Sequence, residues 1–280
     1  MTVVGERQEP AQEPSVEAAL GQDRAHSARM YDYYLGGKTN YAVDREAAEA
    51  VMRVFPAIEV VARVNRAYMH RAVRYLAHED VRQFIDIGTG IPTAPNLHEV
   101  VQSIAPDARV IYVDNDPIVL VYADELLDGT PEGITCYVEG DVTQPEKVLE
   151  AVEAAKCIDF GQPVALSMHA LLHFVPDDRD AYGIVSRLVD RLPSGSYLSL
   201  SHCTGDFEPE AWAAIVDTYE QRGTPAQVRT KAEVRRFFDQ LELVDPGLVV
   251  AHRWRPEPAS GPSLVTDAQV SLYAGVARKP

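Results

Sequence analysis

The sequence predicts an α/β protein with a doubly wound, mostly parallel seven-stranded sheet and an N-terminal helical extension. After residue 80, five short apolar runs are each followed by a helical stretch. This alternation favours parallel strand pairing with helices on both faces of the sheet. Residues 26–79 carry helical patterns and no strand pattern, and the chain ends in two further strand-like runs.

Three segments divide the chain. Residues 1–25 are rich in Gln, Glu, Pro and Ala, which is typical of a flexible tail. Residues 26–79 form the helical extension, in which we expect Asp44 to cap a helix that Pro56 ends. A second helix is expected from Ala57 onwards. Residues 80–280 form the α/β domain.

The elements of the α/β domain follow from local patterns. Helix starts are predicted at two capping boxes, Asn96 with Glu99 and Thr230 with Glu233, and at Asp116, which precedes a proline. The predicted strands are RQFIDI, ARVIYVD, ITCYVEGD, PVALSM, SYLSLSH, LVVAHRW and VSLYAGVARK, and the helices that follow the first five are HEVVQSIA, PIVLVYADELL, PEKVLEAVEAA, RDAYGIVSRLV and EAWAAIVDTYEQ.

Composition limits the class of protein. The 280 residues are 46% hydrophobic, which is enough to bury a large core. The sequence has no long apolar run and no export-signal pattern at its start, so we expect a cytoplasmic protein without membrane association. A formal charge of −16 disfavours a broad phosphate-binding surface. We therefore expect a small-molecule partner and no nucleic acid, while the oligomeric state stays open.

The three cysteines carry no recognisable motif. Cys136, Cys157 and Cys203 are scattered and include no CxxC pair. Neither a disulfide framework nor a zinc site is therefore predicted. We expect all three to be small buried hydrophobic residues.

Basic side chains recur at helical spacing within the extension. They point either to a solvated helix face or to a face that docks an anion. The residues concerned are Arg63, Arg66, His70 and Arg74.

The stretch FIDIGTGIPTAP, residues 84–95, predicts a ligand site. Apolar residues lead into Asp86 at the end of a buried strand, and Gly88 and Gly90 allow a tight turn that another molecule can approach closely. A dinucleotide-binding fingerprint requires a third glycine, but Thr93 occupies that position. Binding of a pyrophosphate is therefore disfavoured.

DIGTG resembles the first motif of the class I S-adenosylmethionine-dependent methyltransferases, which have a Rossmann-like fold. The resemblance implies that Asp86 ends the first strand and that Gly88, Thr89 and Gly90 hold the amino-acid end of S-adenosyl-L-methionine. Pro92 stands where these enzymes commonly have a third glycine.

Two further strand ends extend the resemblance. VIYVDND places Asp114 where the family has an acid that accepts hydrogen bonds from both ribose hydroxyls, with Asn115 beside it. VEGDVT places Asp141 where the adenine amino group is bound, with Val142 beside the ring. For Asp116 we expect only the role of a helix cap.

LSMHALLHFVPD is similar to the stretch after the fourth strand in many of these enzymes. The similarity implies that Ser167, Met168 and His169 line the cofactor or the entry of the methyl acceptor. His169 and His173 lie four positions apart, but a third ligand and an H-E-x-x-H context are missing. We expect no metal.

ARMYDYYLGGKTNYAVDREAAEAV narrows the resemblance further. It is similar to the signature Y-D-Y-x-L-G-G-K-x-N-x-x-x-D-R of an actinobacterial family of candidate S-adenosyl methyltransferases, formerly a domain of unknown function. That family also shares D-I-G-T-G-I/L-P-T, and the similarity covers residues from about 25 to the carboxyl end. The combined motif identifies a family better than it identifies a substrate.

The same segment suggests a lid over the cofactor. Aromatic faces could approach the sulfonium, and a Gly-Gly turn would let the backbone bend sharply. The alternative is that the tyrosines only dock the helical region on the sheet. The candidate lid and substrate residues are Tyr31, Tyr34, Gly36, Gly37, Lys38, Asn40 and His173.

The leading hypothesis is methyl transfer from S-adenosyl-L-methionine to a small molecule. In-line transfer needs mainly alignment and desolvation of the acceptor. A base helps only if the nucleophile must lose a proton, and His169 and Tyr31 are the candidate bases. The alternatives are a non-catalytic binder of S-adenosylmethionine or S-adenosylhomocysteine and an NAD-dependent oxidoreductase.

Overall fold

The computed structural model describes residues 23–119, 121, 129–257 and 264–280. Most of the expected tail lies outside the described residues. So does most of the helix expected over PIVLVYADELL, and so does part of the proline-rich connection before the last strand.

Three helices form the N-terminal extension: α1 (Ser27–Tyr34), α2 (Ala42–Val54) and α3 (Ile58–His78). The backbone N–H of Tyr41 donates to Asp44 Oδ2 at 2.8 Å. Asp44 therefore stabilises the helix start from the third helical position, whereas the sequence predicted it at the N-cap. The difference arises because Ala42 and Val43 continue the helix upstream. The predicted end of this helix before Pro56 is confirmed.

The α/β domain follows the predicted alternation. Within the described ranges, no helix is both long enough and apolar enough for a membrane span. The strands are β1 (Gln83–Ile87), β2 (Arg109–Asp114), β3 (Ile134–Glu139), β4 (Ala165–His169), β5 (Tyr197–Cys203), β6 (Glu242–Leu243), β7 (Val249–Val250) and β8 (Leu272–Arg278). The helices are α4 (Leu97–Gln102), α5 (Pro145–Ala155), α6 (Ala181–Asp190), α7 (Pro209–Glu220), α8 (Lys231–Arg236) and α9 (Asp267–Val270).

Both predicted capping boxes are confirmed. The Asn96 N–H donates to Glu99 Oε2 at 2.5 Å, while Asn96 Oδ1 accepts from the Thr93 N–H at 2.9 Å. The Thr230 N–H donates to Glu233 Oε2 at 2.7 Å, and the Thr230 hydroxyl oxygen accepts from the Glu233 N–H. These side chains satisfy helix-end N–H groups that would otherwise lack partners.

The sheet is doubly wound, with strand order β3-β2-β1-β4-β5-β8-β6 and with β7 paired to β8. β1 to β5 are parallel, and β8 runs antiparallel to β5, β6 and β7. Because β1 pairs with both β2 and β4, the strand order reverses at β1. This reversal opens a crevice at the carboxyl ends of the strands.

The carboxyl-terminal strands differ from the prediction. LVVAHRW forms strand only at Val249–Val250, after which Ala251–Arg253 make a 3-10 turn. The two-residue strand Glu242–Leu243 carries no apolar run long enough to predict it. The sheet therefore has eight strands instead of seven.

The extension and the sheet share one core. The Tyr68 hydroxyl of α3 donates to Gly275 O of β8 at 2.7 Å, and the Ser201 hydroxyl of β5 donates to Asn65 Oδ1 at 2.6 Å. Phe55 packs against Trp212 of α7 with ring centroids 5.6 Å apart. Each large side chain buried in this way contributes roughly 1.5–3 kcal/mol of stability.

The cysteines differ from the prediction in two respects. Cys203 and Cys157 are buried, as expected, but Cys136 is only half-buried. The structure also joins Cys136 to Cys157 in a disulfide with a Cα–Cα distance of 6.6 Å. Helix α5, which follows β3, brings the chain back along the sheet and so places Cys157 beside β3. A separation of 21 residues without a motif gave no sign of this approach.

Candidate functional site

A cavity lies at the carboxyl ends of β1 to β5, at the crevice formed by the reversal of strand order. Its empty space amounts to about 1160 Å³, counting the open mouth. Residues after β1, β2 and β3 line what we call the cofactor half. Residues at the ends of β4 and β5, with α3, α7 and the centre of α1, line what we call the inner half.

The glycine turn after β1 forms the floor of the cofactor half. Gly88 and Gly90 adopt φ values of +74° and +67°, which favour glycine. The Gly88 N–H donates to Val113 O at 2.8 Å, and the Gly90 N–H donates to Asp114 Oδ2 at 2.7 Å. A Cβ at Gly88 would lie 2.7 Å from Leu171 Cδ1. The turn is thus held against the end of β2 and close to the loop after β4.

The basic face of α3 holds the loop that follows this turn. Arg66 donates to the carbonyl oxygens of Thr93 and Pro95, the second at 2.9 Å, and His70 Nε2 lies 3.0 Å from Pro95 O. Arg63 is exposed and pairs with Glu59 at 3.5 Å. Arg63 thus lies on a solvated part of the face, as one of the two interpretations predicted. Arg66 and His70 instead contact backbone carbonyl oxygens of this chain.

Asp86 is buried at the end of β1, where the sequence placed it. Its Oδ2 accepts a hydrogen bond from the Thr89 hydroxyl at 3.0 Å. Burial raises the pKa of Asp86 to about 6, an effect that nearby Asp114 strengthens and that Thr89 and Arg66 oppose. A cationic ligand beside this carboxyl group would favour its ionised form.

We expect the stability of the Asp86→Asn variant to depend less on pH than that of the wild type. Because folding raises the pKa of Asp86, the protonated carboxyl stabilises the fold at low pH, and this contribution is lost as the pH rises to about 6. Between about pH 3 and about pH 7, the free energy of unfolding of the wild type should therefore fall by up to about 3 kcal/mol relative to that of the variant. Urea unfolding of both proteins across this pH range measures the difference in the free energy of unfolding. A difference that does not vary with pH would contradict the prediction.

Asp114 and Asn115 also lie where the sequence placed them, at the end of β2 on the cavity. Asp114 Oδ1 accepts a hydrogen bond from the Asp116 N–H at 3.0 Å, in addition to the bond from Gly90 to Oδ2. Burial raises the pKa of Asp114, and these two backbone N–H groups oppose the rise. Each carboxylate oxygen keeps a further lone pair for a ligand.

Three residues predicted to bind the cofactor do not line the cavity. Ser167 and Met168 are fully buried inside β4, because the strand continues to His169 and both faces of the sheet are covered. Asp141 Oδ1 accepts from the Thr143 N–H at 2.9 Å in the turn before α5. Its neighbours Gly140 and Val142 line the cavity instead.

Helix α1 crosses the cavity, and Tyr31 and Tyr34 line it. The Tyr31 hydroxyl donates to Ala62 O at 3.0 Å and accepts from Asn65 Nδ2 at 2.9 Å. The Tyr34 hydroxyl lies 3.5 Å from the Tyr219 hydroxyl of α7. Burial raises the pKa of Tyr31 to about 12. The tyrosines thus both line the cavity and dock the helix, so the two interpretations left open are compatible.

The rest of the tyrosine motif forms the turn between α1 and α2 and does not reach the cavity. Asn40 Nδ2 donates to Asp32 Oδ2 at 2.7 Å and to Gly37 O at 3.1 Å. Gly36 adopts a φ of +83°. In this structure the residues predicted to contact the substrate form a turn, and the substrate contact itself stays a prediction. The four residues concerned are Gly36, Gly37, Lys38 and Asn40.

His169 and His173 both line the inner half. Burial lowers the pKa of each to about 3; Arg66 and His70 add to the effect on His169, and Arg229 adds to that on His173. Both imidazoles are therefore neutral near pH 7. Among the described residues, no group of three or more His, Cys, Asp or Glu could hold a metal ion.

A buried ionic cluster at the start of α1 was missed by the sequence analysis. Asp116 Oδ1 caps its helix by accepting from the Ile118 N–H at 3.0 Å, as predicted, but Oδ2 lies 3.0 Å from His26 Nδ1 and 3.6 Å from Arg29 Nε. Burial alone would raise the pKa of Asp116, yet the bond and charge of His26, with Arg29, hold it below its usual value. No local pattern pairs residues this far apart in sequence.

Comparison with known proteins identifies the family. The profile of a family described as S-adenosyl methyltransferase matches residues 13–280. The chain belongs to this S-adenosyl methyltransferase family. It is therefore an S-adenosylmethionine-dependent methyltransferase.

Two solved structures are similar to this S-adenosyl methyltransferase over nearly its whole length. A DUF574 family protein from Streptomyces avermitilis MA-4680 is 50% identical with a TM-score of 0.90, and the match covers 93% of this chain and 100% of that one. A candidate methyltransferase from Thermobifida fusca YX is 34% identical with a TM-score of 0.86, covering 95% and 99%. No protein of curated function matches.

The cofactor half fits S-adenosyl-L-methionine. The carboxyl groups of Asp86 and Asp114 face a cavity that must take a ligand with a positive sulfonium and two ribose hydroxyls. Val142 offers an apolar surface to a base, and the glycine turn lets the backbone approach the ligand closely. The residues present therefore match the charge and the polarity of the cofactor.

Proposed function

We propose that the protein transfers a methyl group to a small molecule. The main support is that helices α1, α3 and α7 cover the inner half of the cavity. A methyl acceptor that binds in this covered half of the cavity is more easily a small molecule than a protein or nucleic-acid chain. The formal charge of −16 supports the same choice, because it opposes binding to nucleic-acid phosphates.

The proposed cofactor contacts follow the strand ends. Asp86, Gly88, Thr89 and Gly90 hold the amino-acid end. Asp114 accepts hydrogen bonds from the ribose hydroxyls, with Asn115 beside it. Asp141 and Val142 border the adenine, and Val142 has the stronger support because it lines the cavity. Ser167 and Met168 are not retained as contacts.

The cofactor supplies an activated methyl group on a sulfonium, so the protein mainly aligns the acceptor and excludes water. α1 is held at both ends, by His26 beside Asp116 and by Tyr34 beside Tyr219, and it covers the cavity between them. Tyr31 is poorly suited to act as a base, since its proton is donated to Ala62 O. His169 is the better candidate for accepting a proton from the acceptor.

Fractionated cell extract tests the choice of a small acceptor. An extract of Streptomyces avermitilis is divided by dialysis into small molecules and macromolecules, and each fraction is incubated with the protein and methyl-labelled S-adenosyl-L-methionine. We expect label to enter only the small-molecule fraction, and the transfer at subsaturating S-adenosyl-L-methionine to be slower with the Asp114→Ala variant. Label in protein or nucleic acid would contradict the proposal.

A further inference from the structure

A chain of hydrogen bonds runs from the cavity into the core beneath His169. His169 Nε2 lies 2.9 Å from the Ser199 hydroxyl oxygen of β5, which lies 3.2 Å from the Tyr68 hydroxyl oxygen of α3. The Tyr68 hydroxyl in turn donates to Gly275 O at 2.7 Å. Ser199 and Tyr68 are both fully buried, so water does not compete for these bonds.

The last bond sets the direction of the others. A carbonyl oxygen only accepts, so the single hydroxyl proton of Tyr68 is committed to Gly275. The Tyr68 oxygen can then only accept from Ser199, and Ser199 in turn accepts from His169. The imidazole of His169 must therefore carry its proton on Nε2.

The other nitrogen of His169 is left as a hydrogen-bond acceptor. Burial, with Arg66 and His70 nearby, lowers the pKa of His169 to about 3, so the ring carries one proton near pH 7. That proton is on Nε2, which leaves a lone pair on Nδ1. His169 is partly exposed and lines the cavity. The ring can thus receive a proton donor there and cannot itself donate.

The surroundings of His169 are mostly apolar. The Tyr31 hydroxyl already has a donor and an acceptor, and Arg66 is bonded to two backbone carbonyls on the side of the cofactor half. No carboxylate or lysine is among the described residues that line the inner half, so a cationic acceptor would lose its hydration without gaining a counter-charge. Arg66 supplies a positive charge at the edge of this half, but its Nη2 already donates to two carbonyl oxygens, so an anionic acceptor would compete with them for it. Apolar contact comes from residues such as Ile58, Val61, Met69, Leu171 and Phe174.

We propose that the inner half binds a neutral, largely apolar methyl acceptor that donates a hydroxyl or N–H proton to His169 Nδ1. Ser199 and Tyr68 are positioning residues that fix the ring in its acceptor form. This inference rests on the proposed function. During transfer the acceptor heteroatom bonds the methyl carbon, the electron pair of the broken carbon–sulfur bond stays on sulfur, and the acceptor's proton passes to Nδ1. The acidity of that proton rises as the new bond forms, so a weakly basic imidazole suffices.

Four naphthalene probes of one shape test the inference by calorimetry in the presence of S-adenosylhomocysteine. 2-Naphthol is neutral and donates a hydrogen bond, 2-methoxynaphthalene is neutral and cannot, 2-naphthoate is an anion and 2-naphthylmethylammonium is a cation. We expect 2-naphthol to bind about tenfold more tightly than the other three, as a net hydrogen bond allows. Equal affinities, tighter binding of an ion or no binding of any probe would overturn the inference.

Variants separate His169 from its positioning residues. His169→Phe should abolish the preference for 2-naphthol over 2-methoxynaphthalene while leaving the affinity for S-adenosylhomocysteine unchanged. Tyr68→Phe and Ser199→Ala should reduce the preference in the same direction. Tyr75→Phe is the matched control, because Tyr75 also lies on α3 and packs edge-on against Trp254 as Tyr68 does, but is not part of the hydrogen-bond chain that begins at His169.

Nitrogen-15 NMR of the imidazole gives a readout that a purely structural role would not move. In the wild type Nδ1 of His169 should have the shift of an unprotonated nitrogen, and in Tyr68→Phe or Ser199→Ala the proton should be shared between both nitrogens. A protonated Nδ1 in the wild type would overturn the inference. Failure of the proposed function is distinct, because it would appear as label on a macromolecule while the tautomer and the probe preference persist.

Discussion

The Asp114→Ala variant is expected to bind S-adenosyl-L-methionine more weakly by about 1.5–3 kcal/mol, which is a factor of roughly 10 to 150. The carboxylate that accepts from the Gly90 N–H at 2.7 Å holds the glycine turn and, in our proposal, also anchors the ribose. Its loss removes a charged hydrogen-bond acceptor from both tasks. Isothermal titration calorimetry measures the affinity, and thermal unfolding establishes that the variant is folded.

Glu139→Ala is the matched control for Asp114→Ala. Glu139 lies directly opposite Asp114 in the register of β2 and β3, but it is exposed and does not line the cavity. Its removal should change the affinity little. Unchanged affinity in folded Asp114→Ala, or an equal loss in both variants, would refute the role of Asp114.

Gly37→Ala is expected to destabilise the fold by about 2–4 kcal/mol. A Cβ at this position would overlap the carboxylate of Asp32, which is 4% exposed and binds Asn40 Nδ2 at 2.7 Å. The carboxylate must move, and Asn40 then loses a buried partner. The free energy of unfolding in urea measures the effect.

Gly36→Ala separates this overlap from backbone strain. Gly36 has a φ of +83° but no atom within 4 Å of an added Cβ, so alanine there should cost only about 1–2 kcal/mol for the left-handed conformation. If the two variants lose the same stability, the Asp32 contact does not explain the glycine at position 37.

Elements set by neighbouring residues could be predicted from the sequence. The capping box at Asn96 and Glu99 and the alternation that yields β1 to β5 depend on side chains close together in the chain, and both are confirmed. The placement of Asp86 and Asp114 at the cavity follows from the same logic. In a parallel sheet, residues that end successive strands meet at one edge.

Features that depend on distant packing could not be predicted. Ser167 and Met168 were expected at the cavity because a motif says where a strand ends only to within a residue or two. The bond between Ser201 and Asn65, and that between His26 and Asp116, join segments that no local pattern relates. The disulfide of Cys136 with Cys157 belongs to the same class.

The core shared by α3 and the sheet bears on how this protein folds. Because Tyr68 and Asn65 satisfy polar groups of β8 and β5, a gene fragment encoding only the strands and their crossovers would leave those groups without partners in an apolar interior. Replacing α3 with a helix that lacks these polar groups would therefore cost stability. The amino-terminal helices and the sheet thus behave as parts of one folding unit.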